Sequence, residues 1–78
     1  MTYKIPGRFV EYFDKKEYLT NDENYISADK DGSFYAFQNK PTLGNNIWDP
    51  FDGSLCRKLG KVDLENDDWK ESLKHFPN

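Results

Sequence analysis

Cysteine, histidine and long apolar runs are the scarcest features of this chain, and each scarcity removes a class of function. Cys56 stands alone, so no intrachain disulfide can form. A small domain without such staples fits a reducing compartment. Together with the single histidine, His75, it falls short of the four Cys or His ligands that a structural zinc site needs. No apolar stretch approaches the roughly 18 residues of a membrane span, and residues 1–8 hold no apolar core of a secretory signal, so the expected location is the cytoplasm. A basic stripe is missing too. Net charge is −3, and the longest basic cluster, Lys15-Lys16, is flanked by Asp14 and Glu17, which argues against direct nucleic-acid binding by phosphate tracking. The glycines form neither of the common phosphate-cradling patterns.

Aliphatic bulk is also short. Leu, Ile, Val and Phe together number 17 of 78 residues, close to the roughly 20% at which chains of high charge stay disordered. The length allows one domain, residues 1–78, and so short a chain buries only about 60–65% of its unfolded surface. Rings take the place of the missing aliphatics. Six Phe, five Tyr and two Trp make 17% of the chain, and each ring can bury about 150–250 Å². The expected interior is therefore ring-rich, and rings left outside would mark an interface, with a second copy of the chain as one candidate cover.

Along the chain, residues 8–13 alternate as a strand, with Phe9 and Phe13 on one face and Val10 and Tyr12 on the other, although a helical alignment through Leu19 also groups Phe9, Tyr12 and Phe13. Residues 19–24 read as a turn. The clearest element is a hairpin of residues 25–28 and 33–38 around Asp29-Lys30-Asp31-Gly32, where Asp caps the turn and Gly32 takes a positive φ. Its register sets Tyr25 opposite Phe37, Ile26 opposite Ala36, Ser27 opposite Tyr35, and Ala28 opposite Phe34. Both faces are partly apolar, so both should be covered. Residues 39–53 form a long loop of the kind that is often functional, with Ile47, Trp48 and Phe51 folding back onto the sheet. Residues 54–64 resume a β pattern that Gly60 interrupts by a bulge or turn. At the end, Asn66 or Asp67 caps a helix whose stripe is Trp69, Ser72, Leu73 and Phe76, with Pro77 beyond. The expected class is α+β: a small antiparallel sheet of three to five strands with one C-terminal helix packed on it.

Catalytic candidates reduce to Cys56 and His75, and a nucleophilic pair would need a third orienting group as well. Each has a simpler reading, Cys56 as a small buried hydrophobe in a strand and His75 as a base suited to a helix C-terminus. The expectation is no enzyme. Asp29-Lys30-Asp31-Gly32 opens like a calcium loop but lacks one ligand position and the bidentate Glu, so neither metal nor cofactor is expected. The acidic run of Asp63, Glu65, Asp67 and Asp68 is read as complementing the helix dipole. The aromatic set carries the functional expectation: Tyr25, Tyr35 and Phe37 on one hairpin face, with Trp48 and Phe51 in the loop that follows. These rings are either core or a partly open surface that stacks a nucleotide-like ligand or a partner's side chain.

The stretch Tyr25-Ile26-Ser27-Ala28-Asp29-Lys30-Asp31-Gly32-Ser33-Phe34-Tyr35-Ala36-Phe37, then Lys40-Pro41 and Trp48, resembles a phrase of small bacteriophage accessory proteins, in which a D-x-D-G hairpin precedes Lys-Pro and Trp. Gly60-Lys61-Val62-Asp63-Leu64 and Asp68-Trp69-Lys70-Glu71-Ser72-Leu73 continue the likeness. Its motifs are structural and bring no catalytic residues. The resemblance implies an accessory product that modifies host processes or evades defence in the host cytoplasm. The leading expectation is thus a non-catalytic binding protein that occupies a host protein's surface. The alternative is an aromatic pocket that sequesters a nucleotide-like small molecule.

Overall fold

A computed structural model describes residues 6–50, 56–64 and 68–77. Its strands are β1 (Gly7–Tyr12), β2 (Lys15–Thr20), β3 (Tyr25–Ala28), β4 (Ser33–Phe37), β5 (Thr42–Leu43), β6 (Trp48–Asp49), β7 (Cys56–Lys61) and β8 (Lys74–His75), and among the described residues one 3₁₀ turn forms, at Asp68–Glu71. The central sheet has the order β7-β4-β3-β8, and β1-β2 and β5-β6 are separate hairpins. Every pairing is antiparallel.

The β3-β4 hairpin keeps the register expected from the sequence at all four positions. Its turn closes by Asp29 N–H to Ser33 O at 2.8 Å and Gly32 N–H to Asp29 O at 2.9 Å. Asp31 Oδ1 accepts from Ser33 N–H at 2.9 Å, and Gly32 sits at φ +93°. A side chain at that position would strain the backbone and run into Val62 O, because Val62 N–H bonds to Gly32 O across the turn. The interruption at Gly60 is a bulge. Phe34 faces Gly60 and Tyr35 faces Lys58, which leaves Leu59 as the extra residue.

At the N-terminal end, the strand covers Gly7–Tyr12, and Phe13-Asp14 form a two-residue turn with φ of 49° and 64°. Residues 15–20 return as β2, so the expected turn over 19–24 begins two positions later, at Asn21-Asp22. Positive φ at both central residues marks the primed hairpin turn whose twist matches the strands. Phe-Asp lacks the Asn-Gly or Asp-Gly signature of that turn, so the sequence hides it.

The C-terminal α-helix does not form, and the class is mostly β rather than α+β. Asp68–Glu71 makes one 3₁₀ turn, and the chain then runs extended to pair Ile26 with Lys74 and Tyr25 with His75. Phe76 N–H bonds to Asn24 O at 2.7 Å. Without this pairing the outer edge of β3 would leave backbone groups unsatisfied beside the core. A helix of about a dozen residues contributes too little on its own to outweigh that cost. The intended stripe is split accordingly. Trp69 and Leu73 pack on one face of the sheet, and Phe76 packs on the other. The cap candidates Asn66 and Asp67 lie outside the described residues.

The interior is two clusters on opposite faces of one sheet, not the single ring-filled core that a docked helix would share. Ile26, Ala28, Phe34 and Ala36 meet Tyr12 and Leu19 of the β1-β2 hairpin, together with Val62. Phe37 meets Trp48 and Trp69, with Tyr25 and Tyr35 packed alongside. Each face of the hairpin is covered, as its composition demands. Arg8 ties the front layer down by bonds to Thr20 O and Phe76 O. Arg57 holds Glu23 as a fork, Nε to Oε2 at 2.9 Å and Nη2 to Oε1 at 2.8 Å.

Candidate functional site

The D-x-D-G turn organises the ground beside Tyr35. Trp48 N–H donates to Asp29 Oδ1 at 2.8 Å and Lys30 N–H donates to Asn46 O at 3.0 Å. These two bonds dock the β5-β6 hairpin against the turn. Gly44 N–H closes that small hairpin on Ile47 O at 2.8 Å. Trp48 then goes inward, its Nε1–H donating to Trp69 O at 3.0 Å, while Ile47 stays 47% exposed beside Tyr35.

Two adjoining concavities result. One, of about 400 Å³, has a mixed lining that holds most of the groove's polar groups: Asp29, Lys30, Asp31 and Asn46, with Tyr35 and Ile47. The other, of about 240 Å³, is apolar, with Phe37 and Trp48 at its floor and Tyr35, Ile47, Pro50 and Cys56 around it. Asp29, Tyr35 and Ile47 border both, so the two form one open groove with a wet half and a dry half.

Of the five expected ring residues, Phe37 and Trp48 are buried in the second cluster. Tyr25 and Tyr35 are half-buried against that cluster, and Phe51 lies outside the described residues. Tyr35, Phe37 and Trp48 meet at the groove. Tyr25 faces away toward β8, stacked on His75 with ring centroids 4.7 Å apart. Asp29, Asn46 and Ile47 were not among the expected site residues. The one sequence signal for Asn46 was the length of its loop; Ile47 was expected to fold back onto the sheet with Trp48, but it stays exposed at the groove, and Asp29 was accounted for by its turn.

Electrostatics divide the groove. Burial raises the Asp29 carboxyl above its ordinary range, and the charges of Asp31 and Asp49 push the same way against the Trp48 N–H. Asp31 shifts down, held by the Ser33 N–H and the charges of Lys61 and Lys58. Tyr35 is raised, first by burial and then by Asp29, Asp31 and Cys56, so its phenol remains a hydrogen-bond donor.

Cys56 and His75 end up far apart. The register sets Cys56 opposite Phe37, Phe37 opposite Tyr25, and Tyr25 opposite His75, one row across the whole sheet. Three strand spacings separate the pair by about 14 Å, beyond any shared hydrogen bond. Cys56 is exposed, not the buried hydrophobe its strand implied. Partial burial of the sulfur and the nearby Asp29 charge raise its thiol, which keeps it from the reactive thiolate form. Among the described residues no group of three or more His, Cys, Asp or Glu converges. None of the helices among them is long and apolar enough to cross a membrane. Comparison with protein-family models, with curated proteins and with solved structures finds no match to this chain.

Proposed function

We propose that this chain is a non-catalytic binding protein that acts by occupying the surface of another protein through the groove at Tyr35. One observation carries the reading: an exposed Ile47 and a half-buried Tyr35 stand together over a shallow apolar floor of Phe37 and Trp48. Tyr combines apolar area with a polar tip and loses little side-chain entropy on contact, which is why it recurs in protein interfaces. The apolar half of the groove, about 240 Å³ and open to one side, suits a single inserted side chain. The likeness to bacteriophage accessory proteins supports a host protein as the partner and the host cytoplasm as the place of action. Disarming a defence is one form that such binding takes.

The alternative, sequestration of a nucleotide-like ring compound, draws on the same aromatic floor. Asp29 and Asp31 line the adjoining polar half, where phosphates would have to sit, and the two carboxylates outweigh the ammonium of Lys30 beside them. The two readings separate in one pair of experiments. Immobilised chain should retain a defined protein from host lysate, and the purified partner should rebind to wild type but not to Ile47→Asp or Tyr35→Ala, each checked for a native amide spectrum. A nucleotide panel should leave the melting temperature unmoved, since any ligand of the native state must raise it. Undiminished binding by both variants would refute the groove, and a nucleotide-dependent rise would favour the alternative.

A further inference from the structure

The outer face of the β1-β2 hairpin takes no part in the groove. Register sets Gly7 opposite Thr20, Phe9 opposite Tyr18, and Glu11 opposite Lys16. Strand alternation turns these three rows away from Tyr12 and Leu19, which are buried. The middle row is aromatic. Phe9 is 64% exposed, with Tyr18 edge-on to it at a centroid distance of 5.1 Å. The third row is charged, and both its members are exposed. Glu11 and Lys16 stand opposite each other yet form no ion pair, since the one ion pair among the described residues joins Arg57 to Glu23.

We propose that a second copy of the chain docks on this face, hairpin against hairpin, about a two-fold axis that runs parallel to the strands. That rotation exchanges the two columns of the hairpin, so β1 of one copy lies over β2 of the other. Phe9 then meets Tyr18 of the second copy and Glu11 meets Lys16, and these two contacts repeat by symmetry; Gly7, which lies under the ring of its own Tyr18, and Thr20 form the thin end of the face. Each of the two contacting rows is complementary to itself under this one operation, as an isologous interface requires. A two-fold across the strands, centred on the aromatic row, would instead put Glu11 over Gly7 and Lys16 over Thr20 and leave every charge unmatched. Facing sheets pack about 10 Å apart, a gap that ring side chains from both copies fill. Three rows fall short of the roughly 1,200 Å² of a standard interface. The dimer is therefore weak and rapidly exchanging.

Charge reversal tests the axis itself. Sedimentation velocity and amide shifts are followed over a dilution series for wild type, Glu11→Lys, Lys16→Glu, an equimolar mixture of the two, and Phe9→Ser, with the monomer amide spectrum confirming each fold. Wild type should move toward twice the monomer mass as concentration rises, with shifts centred on Phe9 and Tyr18. Each single reversal sets like charges against each other twice and should weaken association by about tenfold or more. The mixture should regain the wild-type curve, because the introduced ammonium then meets the introduced carboxylate. Phe9→Ser should abolish association, with no rescue on mixing. A wild type that stays monomeric up to its solubility limit overturns the proposal. So do single reversals that associate undiminished, or a mixture that fails to recover.

Discussion

Ser72 and Ala28, 44 positions apart, are joined twice: Ala28 N–H donates to Ser72 Oγ at 2.8 Å, and Ser72 Oγ lies 3.0 Å from Ala28 O. The hydroxyl's single proton also has Trp69 O within reach, at 2.6 Å. Ser72 O in turn accepts from the buried Tyr12 hydroxyl at 2.8 Å. One small polar residue thus acts as the missing strand partner at the end of β3 and links the sheet to the β1-β2 layer.

Replacing Ser72 with Ala should leave the buried Ala28 N–H without an acceptor, at a cost of about 1–3 kcal/mol. That is a large share of what so small a domain holds in reserve. Urea unfolding should show the lower midpoint, and hydrogen exchange should show faster loss of the Ala28 amide in particular. An unchanged midpoint would mean that the hydroxyl is dispensable to the edge.

Tyr12 should make the protein sensitive to alkali. Burial pushes its phenol from 10.0 up to about 12, only partly offset by the neighbouring Ser72 side chain. The unfolded chain therefore gives up this proton first, so the stabilisation is complete below pH 10 and drains away as pH rises toward 12. The loss amounts to about 2–3 kcal/mol at the upper end. Tyr12→Phe should start about 1 kcal/mol less stable at neutral pH and show a flatter alkaline limb. Urea midpoints measured across the alkaline range decide it, and equal slopes for the two proteins would contradict the assignment.

In acid, two carboxylates pull in opposite directions. Burial alone would raise Glu23, but the Arg57 fork and the Thr20 N–H outweigh it and hold the carboxyl below its ordinary 4.5. Its contribution is present above that value and is lost as pH falls through the folded pKa. Asp29, shifted up, contributes below its ordinary 3.8 and loses that contribution as pH rises through its folded pKa. Glu23→Gln should thus reduce the loss of stability in acid. Asp29→Asn keeps an acceptor for the Trp48 N–H and should raise the melting temperature at neutral pH, with the gain fading in acid. Thermal scans from neutral to acid pH check both signs.

What the sequence made legible was local. Asp29, Asp31 and Gly32 fix the β3-β4 register within their own turn, so it could be read directly, whereas Gly60 marked an interruption without deciding between a bulge and a turn. The Phe13-Asp14 turn could not, since positive φ at two non-glycine residues is imposed by the strands on either side. Trp69, Ser72, Leu73 and Phe76 satisfy a helical spacing and equally a 3₁₀ turn followed by a strand. The choice is made by the free edge of β3, about 44 residues upstream, which no window around Trp69 contains. The groove divides in the same way. Tyr35, Phe37 and Trp48 were legible as rings on or near one hairpin face. Asp29 and Ile47 join them only through the Trp48 N–H and Lys30 N–H bonds that seat the loop.

The sheet order β7-β4-β3-β8 has a kinetic corollary. Inner strand β3 is synthesised early and gains its outer neighbour only from residues 72–76, so a growing chain stopped before Ser72 carries a hairpin with one bare side. Pairings that span so much sequence form late, because loop-closure entropy must be met first. Nascent molecules consequently pass through a stage in which β3 is open to strands of other chains, and the last step of assembly is also the one that closes off aggregation.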